Sequence, residues 1–148
     1  MKRILFSICL ISSISMAVAQ TSNREKIEKV LLNSYVNAVF VEFDEQAIRA
    51  GFHTDFLFHF PVMTPNGRVL KKVELDQWLK MISSMKFGKI ESKVIEVYES
   101  GNAATTISEI YQDGKKLYTD YMIWRKVDDK WMIMGKTFDM HQRMMRSN

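Results

Sequence analysis

The stretch LYTDYMIWRKVDDKWMIMGKTF, from Leu117 to Phe138, reads as two β-strands folded back on a short acidic turn. Aromatic and β-branched residues crowd both sides of Val127-Asp128-Asp129-Lys130, and a connection this short forces antiparallel pairing. With Asp128 and Asp129 as the two loop residues, counting sets Trp124 opposite Ile133, Met122 opposite Gly135, Asp120 opposite Thr137 and Tyr118 opposite Asp139. Side chains alternate along a strand. This register therefore puts Tyr118, Asp120, Met122, Trp124, Trp131, Ile133, Gly135 and Thr137 on one face. Thr119, Tyr121, Ile123, Arg125, Met132, Met134, Lys136 and Phe138 share the other. Neither face has the composition of plain solvent surface.

Working backwards, Asp113-Gly114 and Ser100-Gly101 are turn signals that join strands over 90–98 and 103–112 to this hairpin as a meander. Further upstream, Pro65-Asn66-Gly67 turns a run in which Phe56, Phe58 and Phe60 share one side, with His53, Asp55, Leu57 and His59 on the other. The three phenylalanines are expected in the core. Helical spacing appears three times. Ile27, Val30, Leu31, Ser34, Tyr35 and Ala38 mark a helix over 23–41 that opens on the capping-box pattern Ser22-Asn23-Arg24-Glu25. A short helix capped by Asp44, with Phe43 and Ile48 as a staple, ends at Gly51. A third carries Val73 or Leu75, Trp78, Leu79 and Ile82 before Gly88. Helices and a meander in this order imply an α+β domain with helices on one sheet face.

At 148 residues and 47% hydrophobic content the chain is one globular domain with a real core. Met1-Lys2-Arg3, the apolar run ILFSICLISSISM and Ala17-Val18-Ala19 have the three regions of a secretory signal peptide. Cleavage after Ala19 is expected, leaving 20–148 as the mature domain in a periplasmic or secreted location. Cys9 sits inside the apolar run behind Ile8, which does not fit a lipoprotein signal. No later run approaches the roughly 20 apolar residues of a membrane span. Removing Lys2 and Arg3 leaves 19 basic against 17 acidic residues, so the formal charge of +4 falls to +2. The basic pairs Lys71-Lys72, Lys115-Lys116 and Arg125-Lys126 lie in different elements, which excludes a nucleic-acid stripe. Without Cys9 the mature chain has no cysteine, so neither disulfides nor thiol catalysis is available to it.

The element order, together with Gly51-Phe52-His53-Thr54-Asp55-Phe56, Asp76-Gln77-Trp78-Leu79, Tyr121-Met122-Ile123-Trp124-Arg125-Lys126 and Lys130-Trp131-Met132-Ile133, resembles the putative lumazine-binding family of the nuclear transport factor 2-like superfamily. The resemblance covers about the whole mature chain. It implies a cone-like fold: three N-terminal helices packed on a curved antiparallel sheet, with a pocket between. Relatives in that superfamily include ketosteroid isomerases and SnoaL-like polyketide cyclases. Their catalysts use acidic residues and a tyrosine inside the cone. Only Asp120 sits on a strand comparable to theirs.

Extending the register through both turns lines up Ser92, Glu109, Tyr118 and Asp139, with Asp120 beside them and Tyr98, Ala103, Trp124, Trp131 and Ile133 at the apolar end. A greasy floor with an acidic rim suits a small ligand. The expected contacts are Tyr35, Tyr98, Glu109, Tyr118, Asp120, Met122, Trp124 and Trp131. If the domain is an isomerase or cyclase, Asp120 or Glu109 is the base, helped by Tyr118 or Tyr35. Two carboxyls enclosed together would share a proton. The bland alternative is that the strands outrun the helices and leave the acidic row in water, where carboxylates need no partner.

Metal and cofactor chemistry find little support. His53 and His59 are six strand positions apart, about 20 Å, and cannot share an ion. Met140, His141, Met144 and Met145 read as an adaptable helical or frayed end rather than a soft-metal site. No serine-histidine-acid spacing and no Gly-rich phosphate loop occurs, so no cofactor is implied. The expected partners are a small molecule and a second copy of the chain. The second copy would dock on the sheet face bearing Tyr121, Ile123, Met132, Met134, Phe138, Ile110, Ile95 and Val97. Sheet-to-sheet dimers are also a habit of the resembled superfamily.

Overall fold

A computed structural model of the chain describes residues 23–141. The expected signal peptide, Cys9, Ser22, Met144 and Met145 lie outside the described residues. Six strands form one sheet: β1 (Phe52–Thr64), β2 (Gly67–Glu74), β3 (Ile90–Ser100), β4 (Ala103–Gln112), β5 (Lys115–Val127) and β6 (Lys130–Met140), in the order β2-β1-β6-β5-β4-β3. Asp128 and Asp129 form the two-residue β5–β6 turn, with Val127 paired to Lys130. Both have positive φ, 46° and 62°, as a type I′ turn requires and as aspartate tolerates better than most residues.

Among the described residues, three helices cover one face of the sheet. The first, α1, is α-helical over 23–30 and widens into π turns over Leu31–Val41. In its last turn Glu42 N–H donates to Asn37 O at 3.1 Å, five residues back. Seven of the eleven residues in the widened segment are buried, Tyr35 among them, so this part of the helix is enclosed rather than laid on the surface. Helix α2 (Glu45–Gly51) starts as the sequence dictates, with the Asp44 carboxylate accepting from Ala47 N–H at 2.9 Å. At its end, Gly51 meets α1 so closely that a Cβ there would lie 2.9 Å from Val30 Cγ1 and overlap Ser34. Helix α3 (Leu75–Ile82) buries Leu75, Trp78, Leu79 and Ile82. It follows the β1–β2 hairpin, so only two of the three helices are N-terminal. The sheet is mixed rather than purely antiparallel, because β1 runs parallel to β6.

The strands are not regular, and the irregularities decide the interior. Ile123 pairs with Gly135 while Trp124 pairs with Ile133, so Met134 is an extra residue bulged out of β6. Below this bulge the pairs are Met122–Lys136, Asp120–Phe138 and Tyr118–Met140. A one-residue slip turns every later side chain to the opposite face. Lys136 and Phe138 accordingly point inward, against the expectation from a regular hairpin. Similar slips near Ile110 and Ile95 set Ser108 opposite Asp120, Glu109 opposite Thr119 and Lys93 opposite Glu109.

Candidate functional site

The bulge at Met134 brings three ionisable side chains together in the interior. Asp120 on β5 is fully buried, and Lys136 on β6 is 7% exposed. Lys136 Nζ lies 2.9 Å from Asp120 Oδ1, an ion pair whose angle falls outside hydrogen-bond geometry. Tyr35, from the π-turn segment of α1, donates its hydroxyl to Asp120 Oδ2 at 2.7 Å and accepts from Lys136 Nζ. Phe40 at 5.1 Å, Phe52 at 6.3 Å and a stacked Trp78 at 6.4 Å fix the Tyr35 ring.

The electrostatics follow from enclosure. Burial disfavours the Lys136 ammonium and pushes it below the usual lysine range, while the Asp120 carboxylate pulls the other way. Burial, and then the Asp120 charge, raise Tyr35 well above the usual phenol range. The same two causes in the same order push Tyr118 up to about 12. Both tyrosines are therefore protonated at neutral pH. Beside them, Ser108 is fully buried across the β4–β5 pair from Asp120, and neither its hydroxyl nor Asp120 Oδ1 has a hydrogen-bond partner among the described residues.

A cavity of about 220 Å³ opens on this cluster. Its walls are Val39 and Phe40 of α1, Phe58 and Phe60 of β1, Trp78, Met81 and Ile82 of α3, Met85 and Phe87 after α3, and Tyr118, Phe138 and Met140 of the hairpin. Lys136 is the one charged residue among the described residues that line it. The Lys136 ammonium stands 5.3 Å from the Phe58 ring, 5.6 Å from Phe138 and 5.9 Å from Tyr118, so it forms the polar floor of an aromatic pocket. Asp120 and Tyr35 lie behind it, outside the lining.

The expected contacts separate into three groups. Tyr118 is in the cavity wall, with Asp120 and Tyr35 directly beneath Lys136. Met122, Trp124 and Trp131 face inward but belong to the solid core. There the Trp124 indole donates to Thr106 Oγ1 at 2.9 Å, and the Trp131 indole donates to Asn23 Oδ1 at 3.4 Å. Tyr98 is 66% exposed, and Glu109 sits on the outer face, bound by the Lys116 ammonium and by the Tyr111 hydroxyl at 2.6 Å. Those two partners, Lys116 first, hold the Glu109 carboxyl below the usual range. The row of Ser92, Glu109, Tyr118 and Asp139 does not assemble, and the reason to expect a shared proton goes with it. The charged neighbour of Asp120 is an ammonium, not a second carboxylate. Sequence reasoning missed Lys136, Phe58 and Phe138. The available signal was Gly135, since a glycine inside a strand often marks a bulge.

The outer sheet face also differs from the expectation. Ile110 is fully buried, and Val97 and Phe138 pack on the core. Tyr121, Ile123 and Ile95 remain, 44%, 60% and 45% exposed, and Met132 and Met134 are half-buried. Among the described residues, no group of three His, Cys, Asp or Glu could hold a metal ion, and no helix is long and apolar enough to cross a membrane.

The model of the family described as "Putative lumazine-binding" matches residues 22–139. The chain belongs to this family. A search of curated proteins gives no match. Solved structures agree on the fold of this family member. An NTF2-like protein of unknown function from Shewanella baltica OS155 superposes with a TM-score of 0.68 at 15% identity, covering 83% of this chain and 97% of its own. Another from Methylobacillus flagellatus KT gives 0.66 at 23% identity, covering 82% and 94%. A third from Silicibacter pomeroyi DSS-3 gives 0.67 at 12% identity, covering 82% and 98%. At these identities the likeness carries the nuclear transport factor 2-like fold and no more.

Proposed function

We propose that this is the small-molecule-binding domain of an exported protein, and that its ligand is a small neutral aromatic or aliphatic molecule with one hydrogen-bond acceptor. The observation that carries the reading is the 220 Å³ apolar cavity with the Lys136 amine at its floor. Apolar walls with one convergent polar group are the usual composition of a ligand pocket, and this volume is at the small end. Charge balance selects a neutral occupant. Asp120 already matches the charge of Lys136, so an anionic ligand would leave two negative charges on one cation in a low-dielectric site. The family's name attaches lumazine to it, but these walls offer few donors or acceptors to so nitrogen- and oxygen-rich a heterocycle. The basic start, apolar run and Ala17-Val18-Ala19 motif support export.

The test is native mass spectrometry of the purified protein against a library of one- and two-ring alcohols, ketones and arenes. Quenching of tryptophan fluorescence, to which Trp78 in the cavity wall contributes, serves as a second readout. Binding is expected in the wild type and is expected to be lost in Met81→Trp, which fills the cavity mouth. Failure of the wild type to bind any member of the library, or equal binding by the filled variant, would overturn the reading.

A second reading, proton transfer in the manner of an isomerase or cyclase, is favoured by the Tyr35–Asp120–Lys136 run that abuts the cavity. It requires exchange of a bound ketone's α-hydrogens in heavy water, abolished by Asp120→Asn. Exchange no faster than in buffer would end it.

A further inference from the structure

We propose that Lys136 condenses with small aromatic aldehydes to form an imine, making the cavity a carbonyl-capturing site. The proposal rests on the pocket reading above and deepens it. Nζ lies within 5.9 Å of the Phe58, Phe138 and Tyr118 rings, all three of which line the cavity. An aldehyde whose ring enters between these side chains brings its carbonyl carbon to the amine. Only a neutral amine attacks a carbonyl, and burial favours that form at Lys136. Lys89 and Lys116 stand in surface ion pairs whose carboxylates favour their charged forms.

The step balances within the cluster. The ammonium hands one proton to the Tyr35 hydroxyl that accepts from it, as that hydroxyl gives its own proton to Asp120 Oδ2 at 2.7 Å, leaving a neutral amine and a protonated Asp120. The amine lone pair forms the C–N bond as the carbonyl π pair moves onto oxygen. A proton shifts from nitrogen to that oxygen to give the carbinolamine. Asp120 then returns its proton along the same path through the Tyr35 hydroxyl and the nitrogen to the carbinolamine oxygen, water leaves, and the nitrogen lone pair closes the C=N bond. One ammonium and one aldehyde yield one protonated imine and one water, with nothing oxidised or reduced. Asp120 ends ionised, facing the iminium as it faced the ammonium, so the buried charge is balanced at both ends.

Benzaldehyde and 2-naphthaldehyde are the probes, with 2-methylnaphthalene as the unreactive isostere. The wild-type protein is incubated with each aldehyde, reduced with cyanoborohydride, weighed intact and mapped by peptide. A single adduct per chain on Lys136, formed before any other lysine reacts and lost on adding excess 2-methylnaphthalene, is the expected result. The mapping needs no variant, so it does not depend on whether Lys136→Met folds. Adducts confined to other lysines while 2-methylnaphthalene still quenches tryptophan fluorescence would overturn imine formation and leave the pocket reading standing. No adduct on Lys136 and no quenching would overturn both.

Discussion

Removing the charge on Asp120 should be expensive alone and cheap together with removal of Lys136. The two groups are 2.9 Å apart, with side chains 0% and 5% exposed. At an effective dielectric constant of about 20, unit charges at that distance attract by about 6 kcal/mol. Against this stands a desolvation penalty of several kcal/mol per ion, so the intact pair contributes little net stability. An orphaned partner retains the penalty without the attraction. Asp120→Asn and Lys136→Met are each expected to lower the unfolding free energy by about 3–5 kcal/mol, and the double variant by about 1 kcal/mol or less. Asparagine can still accept the Tyr35 hydroxyl, and methionine refills much of the lysine stem's volume. Urea unfolding followed by tryptophan fluorescence is the assay, since Trp78, Trp124 and Trp131 are all buried and report loss of the core. Additive single effects, with a coupling below about 0.5 kcal/mol, would mean that Asp120 and Lys136 are not a buried ion pair.

Gly51→Ala forces a methyl against Ser34 and Val30 where α2 meets α1, and a loss of about 1–3 kcal/mol by the same urea assay is expected for such overpacking. Tyr118 keeps its proton in the folded state up to about 12, against about 10 for a phenol in water. Its contribution to stability is therefore complete below pH 10 and lost as pH rises through about 12. Tyr118→Phe should flatten that alkaline decline, and an unchanged pH profile would count against the enclosure of Tyr118. We propose that the outer face still mediates self-association through Tyr121, Ile123 and Ile95. Light scattering should show Ile123→Lys shifting a dimer towards monomer without unfolding, and a monomeric wild type at high micromolar concentration would exclude the dimer.

Local chemistry made much of this fold legible. The Asp44 cap, the Asp128-Asp129 turn, the inward Phe56 and Phe58, and the Trp78 stripe of α3 follow from side chains that act on neighbours a few positions away. The family resemblance came from the same blocks and agrees with the family match over 22–139. The site was less legible because it depends on registers that slip. Each bulge is a single residue, and each inverts the facing of everything beyond it. Counting from the turn placed Trp124 opposite Ile133, as observed. It failed one residue later, at Met134. The inward positions of Tyr118 and Asp120 survived because β5 was counted along its own chain. The partner of Asp120 was missed because Lys136 lies beyond the bulge on β6, and Glu109 was misplaced by the slip near Ile110. Helical spacing puts Tyr35 on the buried stripe, but its hydroxyl's role depends on the π turns that hold this part of α1 against the sheet.

The claim on which the site rests is that Lys136 points inward, beneath an aromatic cavity and against Asp120. Carbon-13 labelling of the lysine ε-methylenes, with Lys136 assigned by substitution and followed by NMR across a pH series, tests it directly. The Lys136 signals are expected to be displaced by the ring currents of Phe58, Phe138 and Tyr118, to titrate below the usual lysine range, and to move when 2-methylnaphthalene is added. A Lys136 signal without ring-current displacement, titrating in the usual lysine range and indifferent to the arene, would contradict that claim.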